Sequence, residues 1–207
     1  MNQRYLSYKV NVDTMGIDFN EYDQVYKARQ NYRFDIFLVD DVELEEVIGE
    51  LYFTIFDLKI IQESYEEELL GYDDEALTAM AYQAIKKYGS ENFFTGEWSW
   101  INHPRDKVIR KGHLIYIQNL YLYQKYRNKG YGSEIMKNLT TVLSHIFNLD
   151  IRGIFGEAAP CKKDVEGNFE YLDDQNLEIR LKKFLENQNF IFLEPKKVDH
   201  YFYRWIF

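Results

Sequence analysis

Residues 123–136 read YQKYRNKGYGSEIM, and within them Lys125, Arg127 and Lys129 stand beside Gly130 and Gly132 in a chain of net charge -9. Residues of these types at this spacing suit an anion. Glycine has no Cβ, so the backbone can approach an anion closely and adopt positive φ. Successive N–H groups in such a turn form a nest, and unpaired N–H groups at the start of a helix add positive potential. Basic side chains complete the rim, and a nucleotide pyrophosphate would fit. A G-x-x-x-x-G-K-[ST] loop is absent, and the third glycine of a G-x-G-x-x-G fingerprint is replaced by Ile135. The pattern present is R-x-x-G-x-G, from Arg127 to Gly132.

The elements around this loop must hold it in place. HLIYIQNLYLY, 113–123, is apolar on both alternating faces, which marks a strand in the middle of a sheet. In 133–147, Ile135, Leu139, Val142, Leu143 and Ile146 form a helical stripe. IRGIFGEAAP reads as another buried strand ending at Pro160, followed by a polar loop and by LEIRLKKFLENQ as a helix. FIFLEP and YFYRWIF read as a closing hairpin. Upstream, a short strand is expected at Tyr5–Val10 and a helix over 19–30. YRFDIFLVDD and VIGELYFTIFDL read as antiparallel strands rich in β-formers. DDEALTAMAYQAIKKYG reads as a helix with acids at its start and Lys86 and Lys87 in its last turn. The segment after it, up to Gly112, reads as a loop carrying Phe93, Phe94, Trp98 and Trp100. The expected fold class is α/β, a mixed and mostly antiparallel central sheet with helices on both faces.

Length and composition set outer limits. The 207 residues suffice for one domain, 1–207, and an apolar content of 46% allows a proper core. No run approaches the ~20 apolar residues that span a bilayer, and the N-terminus does not resemble a signal peptide. The single cysteine, Cys161, cannot form an internal disulfide, which suggests a reducing compartment and a cytoplasmic protein. Residues 1–100 hold 8 Lys+Arg against 21 Asp+Glu, whereas 101–207 hold 17 against 13. The acidic half argues against nucleic acid and for a cationic partner, and the basic half suits phosphates. No pair of histidines or carboxylates has metal-ligand spacing, so no metal is expected.

The strand ending in Asn119-Leu120-Tyr121-Leu122, followed by R-x-x-G-x-G, resembles the cofactor strand and loop of the GCN5-related N-acetyltransferase (GNAT) family. VIGELYF is similar to that family's "ivGfa" strand, and GEAAP to the end of the strand after its cofactor helix. LKKFLENQNF stands where the family has "FYeklGF", and YFYRWIF resembles its last strand. The resemblance covers roughly 30–60 and 112–207, so about 60–112 reads as an insertion. It implies acetyl-CoA as the acetyl donor and transfer to a primary amine of an unidentified acceptor; composition and charge add the expectation of no membrane and no nucleic-acid partner. The pantetheine arm would bond the backbone of Leu120, Tyr121 and Leu122 as a further strand. Arg127, Asn128, Lys129, Gly130, Tyr131, Gly132 and Ser133 would hold the pyrophosphate.

The chemistry so implied needs a group to take the amine proton and a donor to the developing oxyanion. The resemblance puts Glu157 first as the base, because related enzymes place a carboxylate at this strand end; Glu50, Glu97 and His103 are the other candidates. The tyrosine that protonates the departing thiolate in the family is here Leu185, and the usual glycine is Asn189, which tolerates the left-handed region. Tyr171, Tyr201 or Tyr203 would have to supply the proton, or the thiolate leaves unassisted. The same departure supports a second reading, a non-catalytic acetyl-CoA-binding or protein-interaction module. Cys161, followed by Lys162 and Lys163, is either a loop cysteine or a nucleophile. Small polyamine, amino acid, antibiotic and protein N-terminus or lysine all stay open as acceptors.

Overall fold

The computed structural model describes residues 4–12, 29–40, 45–57, 112–192 and 201–206. The long apolar segments of the sequence become long strands. β1 (Tyr5–Val12), β2 (Arg29–Val39) and β3 (Glu45–Asp57) form an antiparallel meander, and β4 (His113–Leu122) pairs antiparallel with β3. α1 (Tyr131–Phe147) then crosses to β5 (Ile151–Glu157), which runs parallel to β4. β9 (Tyr201–Trp205) flanks β5 and carries the two-residue β8 (Ile191–Phe192) on its far side. Among the described residues the sheet order is β1-β2-β3-β4-β5-β9-β8, a mixed and mostly antiparallel sheet in which β4 and β5 are the parallel pair, as expected from the sequence.

Two expectations need adjusting. β2 begins at Arg29, opposite Phe56, so the end of the helix expected over 19–30 is strand. The polar loop after Pro160 contains a small separate hairpin, β6 (Cys161–Lys163) with β7 (Phe169–Tyr171), too short to show a period. The rest of the helix expected over 19–30, the helix expected over 73–89, and Phe93, Phe94, Trp98 and Trp100 of the insertion expected at about 60–112 lie outside the described residues.

Helix ends follow local chemistry. Gly130 (φ 87°) sits in the left-handed region just before α1, and Asn148 (φ 53°) ends it. α2 (Gln175–Glu186) is capped by Asp174, whose carboxylate accepts from the amides of Asn176 and Leu177. Asn189 (φ 62°) takes the left-handed position after α2, as its residue type suggested. Ile135, Leu139 and Leu143 of α1 and Leu185 of α2 join Phe34, Ile36, Leu51, Phe53 and Ile115 in one core. Phe147 seats the end of α1 among Tyr32, Phe34 and Phe53, with ring centroids 4.6–6.2 Å apart.

The sheet is tightest where β4 and β5 last pair, at Ile117 and Gly156. A Cβ on residue 156 would stand 2.4 Å from the Phe202 ring and 3.0 Å from the Ile117 carbonyl oxygen. Gly156→Ala should therefore lower stability by about 1–3 kcal/mol through overpacking, read as a drop in thermal midpoint. An unchanged midpoint would show that the strands can separate there at no cost.

Candidate functional site

β4 and β5 stop pairing before β4 ends. Their last register pair is Ile117 with Gly156, whereas β4 continues through Gln118–Leu122 alongside β3. Among the described residues, no strand pairs with 118–122 on the β5 side. Buried main-chain groups need partners, so this interval is a place where an extended ligand can add hydrogen bonds to a sheet. A bulge marks the same point: Gln118 is the extra β4 residue between the pairs Ile117–Phe53 and Asn119–Tyr52. Its amide donates to Thr54 Oγ1 (3.1 Å) on the neighbouring strand.

A cleft of about 420 Å³ opens in this gap, within the range of small-molecule sites. Gln118–Leu122 form one wall, Glu157 and 159–161 the other, and Leu177, Leu181, Phe184 and Leu185 of α2 an apolar side. The glycine loop closes one end. Asn128 (φ 59°) and Gly130 (φ 87°) are both left-handed, and no side chain caps α1. The first intrahelical bond runs from the Glu134 amide to the Gly130 carbonyl (3.1 Å), so the amides of Tyr131, Gly132 and Ser133 precede it and have no partner within the helix. A Cβ at Gly130 would meet nothing within 4 Å. The glycine is thus required by its φ and leaves the nest open to an anion. These observations fit the pyrophosphate and pantetheine of an acyl-CoA.

Eight of the ten residues that the sequence assigns to the cofactor line this cleft: Leu120, Tyr121, Leu122, Arg127, Asn128, Gly130, Gly132 and Ser133. Tyr131 packs instead against the core and the Tyr126 ring, and Lys129 is exposed with its ammonium 5.7 Å from that ring. Lys125 is engaged elsewhere, in an ion pair with Glu46 of β3 that raises its pKa. Of the three basic residues in the loop, Arg127 is the one at the cleft. Its Nε donates to the Leu122 carbonyl (2.8 Å) and its guanidinium lies 5.1 Å from the Tyr121 ring, which ties the loop back onto β4.

The proposed base, Glu157, lines the cleft at the end of β5, paired in register with Tyr201. Leu185, which the sequence resemblance sets at the family's tyrosine position, lines it, while the side chains of Tyr171 (exposed) and Tyr203 (buried) do not border it. The Tyr201 side chain, Glu97 and His103 lie outside the described residues. Cys161 lines the cleft with its Sγ 3.6 Å from Asn119 Oδ1; burial raises its pKa against the opposing charges of Arg127 and Lys163, so it is not an activated thiolate. Among the described residues, no group of three or more His, Cys, Asp or Glu is placed to hold a metal, and no helix is long and apolar enough to cross a membrane.

Glu50 proved to be the centre of a network that no local pattern marks. It is 3% exposed. It accepts from Lys163 Nζ (2.6 Å), Tyr52 Oη (2.7 Å) and Tyr123 Oη (3.0 Å), with Arg33 Nε at 3.7 Å. Arg33 also pairs with Asp35 (2.7 Å), which accepts from Asn11 (2.8 Å). These partners come from β1, β2, β3, β6 and the residue after β4. Burial by itself would raise the Glu50 carboxyl, but the Lys163, Tyr52 and Tyr123 bonds outweigh it and hold the pKa low. Tyr52, pushed up to about 12 by burial and then by Glu50, stays a donor. Glu50 is therefore a poor proton acceptor at neutral pH.

No family model matches this chain, and no curated protein matches it. Among solved structures it is similar to the KacTA–DNA complex, at 10% identity over 96% of this chain and 92% of that chain with a TM-score of 0.42. AtaTR bound with AcCoA follows at 13% identity, 96% and 92% coverage and 0.40. NAA60 of Arabidopsis thaliana in complex with acetyl-CoA aligns at 16% identity over 84% of this chain and 76% of that chain, with a TM-score of 0.42.

The depressed Glu50 pKa has a testable sign. A carboxyl whose folded pKa lies below its unfolded value of about 4.5 stabilises fully above that value, and the contribution is lost as pH falls through the folded pKa. Glu50→Gln should be less stable than wild type by about 1–3 kcal/mol at pH 7, with the gap narrowing below about pH 4.5. Melting curves of the two proteins that stay parallel from pH 7 to pH 3 would contradict the pairing.

Proposed function

We propose that this chain is an acetyl-CoA-dependent N-acetyltransferase of the GNAT type, acting on a primary amine. The observation that carries the reading is the break in β4–β5 pairing beside an uncapped glycine nest. A parallel pair that opens in mid-sheet offers main-chain bonds to an extended pantetheine, and the nest offers amides to the pyrophosphate at its end. When bound, acetyl-CoA supplies an activated thioester.

The chain's own residues have the following roles in this reading. The backbone of Leu120, Tyr121 and Leu122 aligns the pantetheine, and the amides following Gly130 meet the phosphates. The wall formed by α2 excludes water from the thioester. Glu157, across the cleft from β4, accepts a proton from the acceptor's ammonium, and the neutral amine so formed attacks the thioester carbonyl. Alignment of the two reactants supplies much of the acceleration. With Leu185 in the cleft, no phenol stands at that position to protonate the thiolate; a thiol of pKa about 8.5 leaves without much assistance.

That same leucine favours the second reading, a module that binds acetyl-CoA without turnover. Calorimetry and CoA release with a panel of amines separate the two. Wild type should bind CoA, and Gly130→Asp, which adds both a Cβ and a negative charge at the nest, should abolish binding while the protein stays folded. Glu157→Gln should bind CoA normally and lose about 100-fold or more in kcat. Unchanged CoA affinity in folded Gly130→Asp would refute the nest, and CoA binding without release for any amine would select the second reading.

A further inference from the structure

The Lys163 ammonium lies inside an aromatic cage. It is 5.0 Å from the Phe169 ring, 5.6 Å from Tyr121 and 5.8 Å from Tyr52, and 2.6 Å from Glu50 Oε2. Three rings and one carboxylate around a single ammonium form a cation site: the ring faces attract the charge and the carboxylate neutralises it. The rings brace one another edge to face, Tyr52–Phe169 at 5.3 Å and Tyr121–Phe169 at 6.0 Å. Both partners are sheltered, the Lys163 and Glu50 side chains being 16% and 4% exposed.

The placement of this cage matters more than its existence. Tyr121 belongs to both sites: it lines the cleft and walls the cage. Glu50 and Tyr52 stand on β3 in the middle of the sheet, whereas Lys163 stands on the three-residue β6. Among the described residues β6 pairs only with β7, outside the main sheet. Glu50, Tyr52 and Tyr121 are walls held by main-sheet strands, whereas Phe169 stands on β7 of the same minor hairpin that carries the occupant on a long side chain. A buried ion pair contributes little net stability compared with apolar packing, so the core gains little by keeping one here. Charge points the same way: Glu50 and Asp35 balance Arg33 and Lys163, and withdrawal of the Lys163 ammonium leaves one net negative charge.

We propose that the Glu50–Tyr52–Tyr121–Phe169 cage is a binding site for an alkylammonium group, with Lys163 as its resident occupant, displaced when the acceptor's cationic primary amine docks beside the cleft. The assignment to the acceptor rests on the acetyl-transfer reading above; the site itself does not. A cationic amine, such as that of a polyamine or a lysine side chain, is the class the cage selects, and an anionic acceptor is excluded by Glu50.

The test uses n-butylammonium chloride as the probe, against sodium chloride at equal ionic strength, on wild type and Lys163→Ala, with thermal midpoint and calorimetry as readouts. Emptying the cage should give a saturable rise in midpoint and an apparent Kd about tenfold or more tighter than wild type, where the resident lysine competes. Adding Tyr52→Leu to Lys163→Ala should remove that gain. Should Lys163→Ala fail to fold, Lys163→Gln, which keeps a donor to Glu50, takes its place with the same expectation. A variant that responds to butylammonium no more than wild type, or no more than to sodium chloride, overturns the proposal. CoA titration of the same proteins runs in parallel: absence of CoA binding in wild type strikes the acetyl-transfer reading, and the butylammonium result decides the cage independently.

Discussion

A parallel strand pair that opens halfway along its length is the constraint on which the rest of this structure depends. Sheet interiors are stable because each strand satisfies its neighbour's main-chain groups. Here β4 keeps β3 through Leu122 but loses β5 after Ile117. The opening starts at Gly156, where the strands approach too closely for a side chain, and at the Gln118 bulge, which gives β4 one residue more than β3. Two irregularities at one level turn a continuous sheet into one with a slot, and the slot determines what the flanking elements must do. α1 has to start at its mouth, which places an uncapped helix N-terminus there, and α2 has to line it with leucines.

The two ends of the site then acquire opposite electrostatic character. At the α1 end, amides following Gly130 face the cleft with Arg127 held beside them. Around Tyr121, on the side of the sheet that carries Glu50 and Tyr52, a buried carboxylate and three rings surround an ammonium. In the proposed reading, an anion site and a cation site on either side of β4 suit transfer of an acyl group from a nucleotide thioester to an amine, each substrate being attracted to its own side. The low Glu50 pKa fits this division: a carboxylate that binds a cation must stay ionised, and the proposed reading gives the role of proton acceptor to a different group, Glu157, at the slot itself.

Much of this was legible in the sequence, and the parts that were not have identifiable causes. HLIYIQNLYLY has no polar face, so its central place was readable, and R-x-x-G-x-G is contiguous, so its turn was too. Asn189 announced its left-handed conformation by residue type. Lys125 looked like part of the anion rim because its partner, Glu46, lies 79 residues away in the chain and meets it only through β3–β4 pairing. Glu50 was visible as a candidate, but its partners come from four separate stretches, and a network of that kind has no period to detect. The β6–β7 hairpin has three residues per strand, shorter than any alternation can reveal.

The central claim is that the slot between β4 and β5 holds acetyl-CoA in extended form. The most direct measurement is a crystal structure of the protein grown with CoA. The pantetheine amides should bond the main chain of 118–122, with the pyrophosphate on the amides of 131–133 and the sulfur near Glu157. CoA bound at another surface, or a slot that stays closed to it at saturating concentration, would contradict the account.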